Sequence, residues 1–228
     1  MFQIKVLPRR FRRLNRDSAP HLFQCALNLA RSGIQTKIAR VLARWWGIQL
    51  GENCWFRGLP LFRRLPESRI RIGKGCEFFS STWSNLVGIN RPCIISTLTT
   101  TAEIRIGNHC GFSGTSIGCA LSISLGDRVM CGANVTITDT DWHPTDWRDR
   151  LAKRDAEAAP VVIGDDVWLG MNVTVLKGVE IGSRTVVGAG SVVTKPLPSG
   201  VIAAGQPAIV VCELSERTNW THHLTNYQ

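Results

Sequence analysis

The sequence predicts a mainly β protein built as a parallel β-helix of six-residue repeats, with a basic amphipathic helical segment before it and a short tail after it. The first observation is a strict period in residues 161–198, where Ile163, Leu169, Val175, Ile181, Val187 and Val193 stand six apart. The second is the glycine that follows at Gly164, Gly170, Gly182 and Gly188. The third is a further register of small or branched residues four positions on, at Val167, Val173, Val179, Thr185 and Ser191. A period of six fits neither a 3.6-residue helix nor simple strand alternation. It fits a chain that makes a short strand, turns and repeats, with an aliphatic residue of each face pointing inward. Such a unit cannot bury its apolar face alone, so successive coils must stack.

Residues 1–49 read as a basic helical arm. Pro8 interrupts any helix in the first stretch, which carries Arg9, Arg10, Arg12, Arg13 and Arg16. Ser18 is a candidate cap, with Pro20 in the first turn where proline is tolerated. From His21 to about Ile48 apolar residues recur at helical spacing: Leu22/Phe23, Ala26/Leu27, Ala30, Ile34, Ile38, Val41/Leu42 and Trp45. Gly33 divides this stretch into two candidate helices. Arg31, Lys37, Arg40 and Arg44 occupy the other face. Two destinations suit such a helix: an anionic membrane surface, or its apolar face packed on the β-helix or a neighbouring subunit.

Residues 50–211 read as the β-helix. Its early part, 50–105, carries the repeat faintly, and Ile104-Arg-Ile-Gly107 restarts it clearly. Leu125-Gly126-Asp127, Cys131-Gly132-Ala133 and Ile137 continue it after a shift of register. Residues 138–160 then break the pattern with a polar, charged stretch bounded by clean repeats. That is the signature of a loop extruded from the wall, and long loops in compact repeats usually carry function. After Pro198 the chain exits through a turn and strand. Residues 212–228 form the tail, where His222 and His223 read as surface residues.

A net charge of +10 points to anionic partners: nucleic acid, an anionic membrane, a phosphorylated cofactor or a charged polysaccharide. Nucleic acid is excluded as the main partner, because no helix-turn-helix, RNA-binding sheet signature or zinc motif is present. The eight cysteines stand apart without a CxxC pair, as expected of buried reduced thiols in a reducing, cytoplasmic compartment. No stretch approaches 18 apolar residues and no secretory signal opens the chain, so the expected location is the cytoplasm, with peripheral contact to the inner face of the membrane through the basic arm.

The unbroken hexads, the VGAGSVVTKPLP close and the following Gly205-Gln-Pro-Ala208 resemble the hexapeptide-repeat acyltransferases. That resemblance implies a left-handed winding, against the usual right-handed crossover rule. In the segment Asp139-Thr-Asp141-Trp142-His143-Pro144, His143 resembles the catalytic histidine of the maltose, galactoside and nodulation-factor O-acetyltransferases and of related polysaccharide O-acetyltransferases. The implied activity is acetyl-CoA-dependent O-acetylation of a carbohydrate, with His143 as general base. The chemistry asks for such a base, since a sugar hydroxyl is a weak nucleophile at neutral pH. Asp139 and Asp141 either orient the imidazole, contact acceptor hydroxyls or shape a turn. Trp142 and Trp147 either stack on a sugar ring or pack against a neighbouring subunit.

The same resemblance implies that Trp168 lies beside the pantetheine channel. Gly170, Ala189, Gly190 and Ser191 line it as a small-residue wall, and Thr194 and Lys195 stand at the nucleotide end. No metal ligand set is expected. It also implies a homotrimer with sites between subunits. The chain departs from the galactoside and maltose enzymes in Phe112-Ser-Gly-Thr-Ser116, which lacks their asparagine. It departs again in Ile209-Val-Val211, where they have a basic residue. Rival functions are N-acetylation of an amino sugar or small molecule, a β-helix carbonic anhydrase, for which the repeat region offers two histidines, His109 and His143, and a non-catalytic scaffold.

Overall fold

The computed structural model describes residues 18–214. The arginine-rich stretch from Arg9 to Arg16 and the tail with His222 and His223 lie outside the described residues. Three parallel sheets form the walls of a left-handed parallel β-helix. The first sheet stacks Gln49–Leu50, Arg69–Ile72, Glu103–Ile106, Ser122–Leu125, Val161–Ile163 and Glu180–Ile181. The second stacks Trp55–Arg57, Glu77–Phe79, Gly111–Ser113, Met130–Ala133, Trp168–Leu169 and Val186–Val187, and then Val201–Gly205. The third stacks Leu61–Arg63, Ile94–Thr97, Ser116–Cys119, Thr136–Thr138, Thr174–Val175 and Val192–Val193. Each coil visits the three sheets in turn through three corners. The chain closes on Ala208–Glu213, which pairs antiparallel with Val201–Gly205.

Register explains the period. Ile163 pairs with Ile181, Leu169 with Val187 and Val175 with Val193, so three hexads make one coil. Both repeat registers point inward, and Val167, Val173, Val179, Thr185 and Ser191 are as buried as the aliphatic series. Each hexad thus gives the core two residues, one on the flat of a strand and one at a corner. Glycine is required where corners meet: a Cβ at Gly164 would sit 2.6 Å from the Ser183 nitrogen of the next coil. A polar residue follows because it bonds the neighbouring corner. Asn108 Oδ1 accepts from Lys74 N–H, Asp127 Oδ1 from Asn108 N–H, and Asp165 Oδ1 from Asp127 N–H.

The early coils are more regular than the sequence suggested. On the second sheet the inward position holds Phe56, Phe78 and Phe112, stacked at centroid distances of 4.7 and 5.1 Å. Larger side chains hide the hexad signature without changing the coil. Six cysteines are buried, and all eight are free thiols. Cys54, Cys76 and Cys110 each donate to a glycine carbonyl of the next coil at 3.2–3.3 Å. The hydrogen bond from Cys110 and burial push the Cys76 thiol up to about 12, which keeps it neutral. Residues 80–92 leave the wall as a second excursion, which the sequence reading merged into irregular coils. Arg91 pins it back, donating to the Gly114 and Asn134 carbonyls and to Thr136 Oγ1.

Helix α1 (Ser18–Trp45) is continuous, so Gly33 does not divide it. Gly33 sits inside the helix with open space around its Cα, and its propensity cost of about 1 kcal/mol is met by the packing of the helix on the first coil. That packing reverses the expected face. Ser32, Ala39 and Ala43 are buried, whereas Phe23, Ile34, Val41 and Trp45 face outward. The inward face supplies polar partners to the exposed edge of the second sheet. Phe56 N–H donates to Thr36 Oγ1, Gly58 N–H donates to Gln35 Oε1, and Arg40 donates to the Cys54 carbonyl. Small residues permit this close approach, and the helix covers an edge that would otherwise be free to pair.

Candidate active site

The extruded loop leaves the third sheet after Thr138 and returns at Val161. It is pinched shut at its base. Asp141 N–H donates to the Glu157 carbonyl, Ala159 N–H donates to the Asp139 carbonyl, and Thr140 bridges Ala158 antiparallel. Lys177, at the corner of the next coil, holds both arms of the pinch. Its ammonium meets Asp141 at 2.7 Å and Glu157 at 2.6 Å. These two carboxylates, Asp141 first, hold the Lys177 ammonium above its ordinary range.

Asp139 is not an acceptor contact. It is fully buried, and its carboxylate accepts three backbone N–H groups, from Ala120, Leu121 and Ser122, each at 2.7 Å. These donors lie at the turn of the preceding coil, so Asp139 ties that coil to the root of the loop. The Cys119 thiol donates to the same group at 3.3 Å.

Trp142 carries the loop outward. Its φ of 64° is unusual for a bulky residue and belongs to the left-handed region where strained, functional backbone concentrates. The indole N–H donates to Thr138 Oγ1 at 3.0 Å, and the ring lies over Gly118 of the preceding coil. One face of the ring remains open to solvent. His143 follows immediately and is exposed, without a hydrogen bond among the described residues. Arg150 fastens the next stretch by donating to the Pro144 and Thr145 carbonyls at 2.7 Å. Trp147 opens the short helix α2 (Trp147–Leu151), which Asp146 caps. Its exposed ring carries the guanidinium of Arg148. The chain therefore presents an exposed imidazole on a loop stretch that also carries the exposed rings of Trp142 and Trp147.

The residues expected along the acyl-donor channel separate into two groups. Trp168 is exposed on the second sheet, with Ala189 and Gly190 at the corner between the second and third sheets. Thr194 and Lys195 are exposed at the opposite corner of the third sheet, in the same column as Lys177 and the loop root. Thr194 lies four positions after Gly190, about 13 Å at some 3.3 Å per residue of strand. Two of the expected residues are corrected. Gly170 is buried, and a Cβ there would meet the Ala189 nitrogen at 2.7 Å, so it serves coil stacking. Ser191 is buried, donating from its hydroxyl to the Gly188 carbonyl and accepting from Gly205 N–H. A single chain thus places Trp168 and Ala189 on one corner and His143 on another.

Sequence reasoning missed Lys177, Gly118 and Thr138. Their signal is register: Gly118 and Lys177 sit on the third sheet or its corner one coil from the loop, and Thr138 pairs with Gly118 at the loop's root.

Residues 160–195 match the bacterial transferase hexapeptide model of six repeats, and residues 103–139 match the hexapeptide repeat of succinyl-transferase. The repeat region is similar to that of the hexapeptide-repeat acetyltransferases. Among such acetyltransferases, the galactoside O-acetyltransferase of Lactococcus lactis is 46% identical over 147 residues, 64% of this chain and 63% of that protein. A galactoside acetyltransferase solved with coenzyme A has a TM-score of 0.50 at 27% identity, covering 74% of this chain and 66% of that one. A hexapeptide-repeat acetyltransferase of Vibrio cholerae O1 biovar eltor, solved with acetyl-coenzyme A, has a TM-score of 0.53 at 25% identity, covering 88% of this chain and 87% of that one. The chain spans 46–63% of the first curated relatives it matches.

Proposed function

We propose that this protein transfers an acetyl group from acetyl-coenzyme A to a hydroxyl of a carbohydrate, with His143 as the general base. The observation that carries the reading is the exposed imidazole of His143, next to the exposed Trp142 on a loop locked to the wall by Asp139 and Lys177. An imidazole in contact with solvent suits proton removal from a sugar hydroxyl. As the sugar oxygen attacks the thioester carbonyl, the imidazole takes its proton. A new ester C–O bond forms, the C–S bond breaks, and the imidazolium returns the proton to the leaving thiolate. Trp142 and Trp147 supply apolar faces for a pyranose ring. Relatives named for galactoside acetylation support the carbohydrate class. The open loop suits an acceptor that extends beyond the site, such as a surface polysaccharide or its precursor.

Acetyl-coenzyme A suits residues of both corners. Trp168 and Ala189 offer a flat surface for a narrow chain at one, and Lys195, in the column of the loop root, offers a cation for phosphate at the other. The separation of Trp168 and Ala189 from His143 within one chain supports a homotrimer in which a neighbour's corner completes the site.

The test is release of free coenzyme A thiol across a panel of glycosides, oligosaccharides and amino sugars. Acceptor-dependent release on hydroxyl substrates, lost by about 10²–10⁴-fold in His143→Ala, is expected. Acceptance of amines alone would support N-acetylation, as in the tetrahydropyridine-dicarboxylate N-acetyltransferase relative. An unchanged rate in His143→Ala would overturn the assignment of the base.

A further inference from the structure

The outward face of α1 has no role in the β-helix. Phe23, Leu27, Ile34, Ile38, Val41 and Trp45 fall at spacings of four, seven, four, three and four residues along α1, which keeps them on one stripe of a 3.6-residue helix. That stripe lies opposite Ser32, Ala39 and Ala43, which pack on the first coil. Ile34 is 62% exposed, Val41 67% and Trp45 84%. From Phe23 to Trp45 the stripe runs about 33 Å at 1.5 Å per residue. A helix that only covered the end of the β-helix would need apolar residues inward and polar ones outward. Here the hydrogen-bonding and small residues face inward, joined by Leu42 against the core, and Phe23, Ile34, Ile38, Val41 and Trp45 face solvent.

Charge identifies the occupant. Helix α1 contains no aspartate or glutamate, and Arg31, Lys37 and Arg44 flank its apolar stripe. The 17 residues before it contain Lys5 and five arginines against one acid, Asp17. An apolar stripe with cationic borders matches the boundary of an anionic bilayer, where the stripe enters the acyl region and the cations meet headgroups. A second copy of α1 fits poorly, because pairing would set cations against cations with no acid on the helix to receive them. No helix among the described residues is long and apolar enough to cross a membrane, so the geometry is that of a helix lying in the interface.

We infer that α1 docks the protein on an anionic lipid surface through Phe23, Ile34, Val41 and Trp45, with Arg31, Lys37 and Arg44 at the headgroups. The inference concerns binding alone and stands whatever acceptor the active site takes.

The experiment is co-sedimentation of the full chain with sonicated vesicles of phosphatidylcholine, with and without about 30% phosphatidylglycerol. Binding is expected with phosphatidylglycerol, falling as salt rises, and near background with phosphatidylcholine alone. The double variant Ile34→Glu/Val41→Glu is expected to lose about tenfold or more of that binding while its unfolding midpoint and acetyl-CoA hydrolysis or transfer stay unchanged. A second variant, Phe23→Gln/Trp45→Gln, gives an independent reading at the two ends of the stripe. Wild-type binding that survives both variants would assign attraction to the basic residues alone and overturn the stripe. Absence of vesicle binding would overturn the inference. So would a fall in oligomer mass by light scattering in Ile34→Glu/Val41→Glu, which would make the stripe a subunit interface.

Discussion

The indole of Trp142 rests on Gly118, one coil away, so closely that a Cβ at Gly118 would lie 2.7 Å from Trp142 Cζ2. Substitution Gly118→Ala therefore forces the ring, and with it the backbone that presents His143, to move. The expected result is a fall in kcat/KM for acetyl transfer of about 10–100-fold, since displacement of about 1 Å has that effect on a positioned group. The thermal midpoint should change little, because the ring is half exposed and can shift. Steady-state kinetics beside a melting curve check both halves.

Asp139 should behave oppositely. Removing its carboxylate in Asp139→Ala leaves the N–H groups of Ala120, Leu121 and Ser122 without their acceptor. The expected cost is about 3 kcal/mol or more. A midpoint lower by about 6–12 °C in calorimetry would agree. Activity per folded molecule at low temperature should remain within several-fold of wild type, which separates an anchor from a catalytic group.

Lys177→Met removes the clamp between Asp141 and Glu157. Because the glutamate is well exposed, the stability change should stay below about 1 kcal/mol. The loop base loosens, so amide exchange at Asp141 and Ala159, whose N–H groups close the pinch, should accelerate. Unchanged exchange would show that the backbone ladder closes the loop alone.

Acid should weaken the wall before it affects the core. The backbone N–H of Asn108 holds the Asp127 carboxyl below its ordinary 3.8, and the bidentate Arg128 guanidinium does the same for Asp166. A depressed carboxyl contributes stability that is fully present above its unfolded pKa and is lost as pH falls through the folded one. Midpoints should be flat from about pH 5 upward and fall below about pH 4. Asp127→Asn should flatten that acid limb, and an unchanged limb would assign it to other groups.

A shared site can be tested by mixing. His143→Ala removes the proposed base, and Ala189→Trp blocks the exposed corner beside Trp168. Refolded together, the two inactive chains should regain about a quarter of the wild-type sites if each site draws on two subunits of a closed ring. No recovery would locate both functions within one chain.

The six-residue period was readable because the second half of the β-helix stacks small residues with little variation. Val167, Val173 and Val179 repeat because the three corners of one coil are equivalent. The first half hid the same coils behind the stacked Phe56, Phe78 and Phe112, which do not obey the hexad alphabet. Within the site, His143 and its two tryptophans stood out because the repeat fails there. Lys177 and Gly118 did not, since their partners lie 36 and 24 residues away and only the stacking of coils joins them.

By itself the sequence determined the stacked-coil architecture, the extruded loop and the cationic, amphipathic character of α1, all of which are local patterns of residue type. Tertiary structure alone decided which way those residues point. Asp139 and Ser191 turned into the wall because a neighbouring coil offered backbone groups to bond. The large apolar side chains of α1 turned outward because the edge strand needed the polar reach of Gln35 and Thr36 and the small volume of Ala39 and Ala43. Periodicity places residues on faces, and the partner each face meets settles which one is buried.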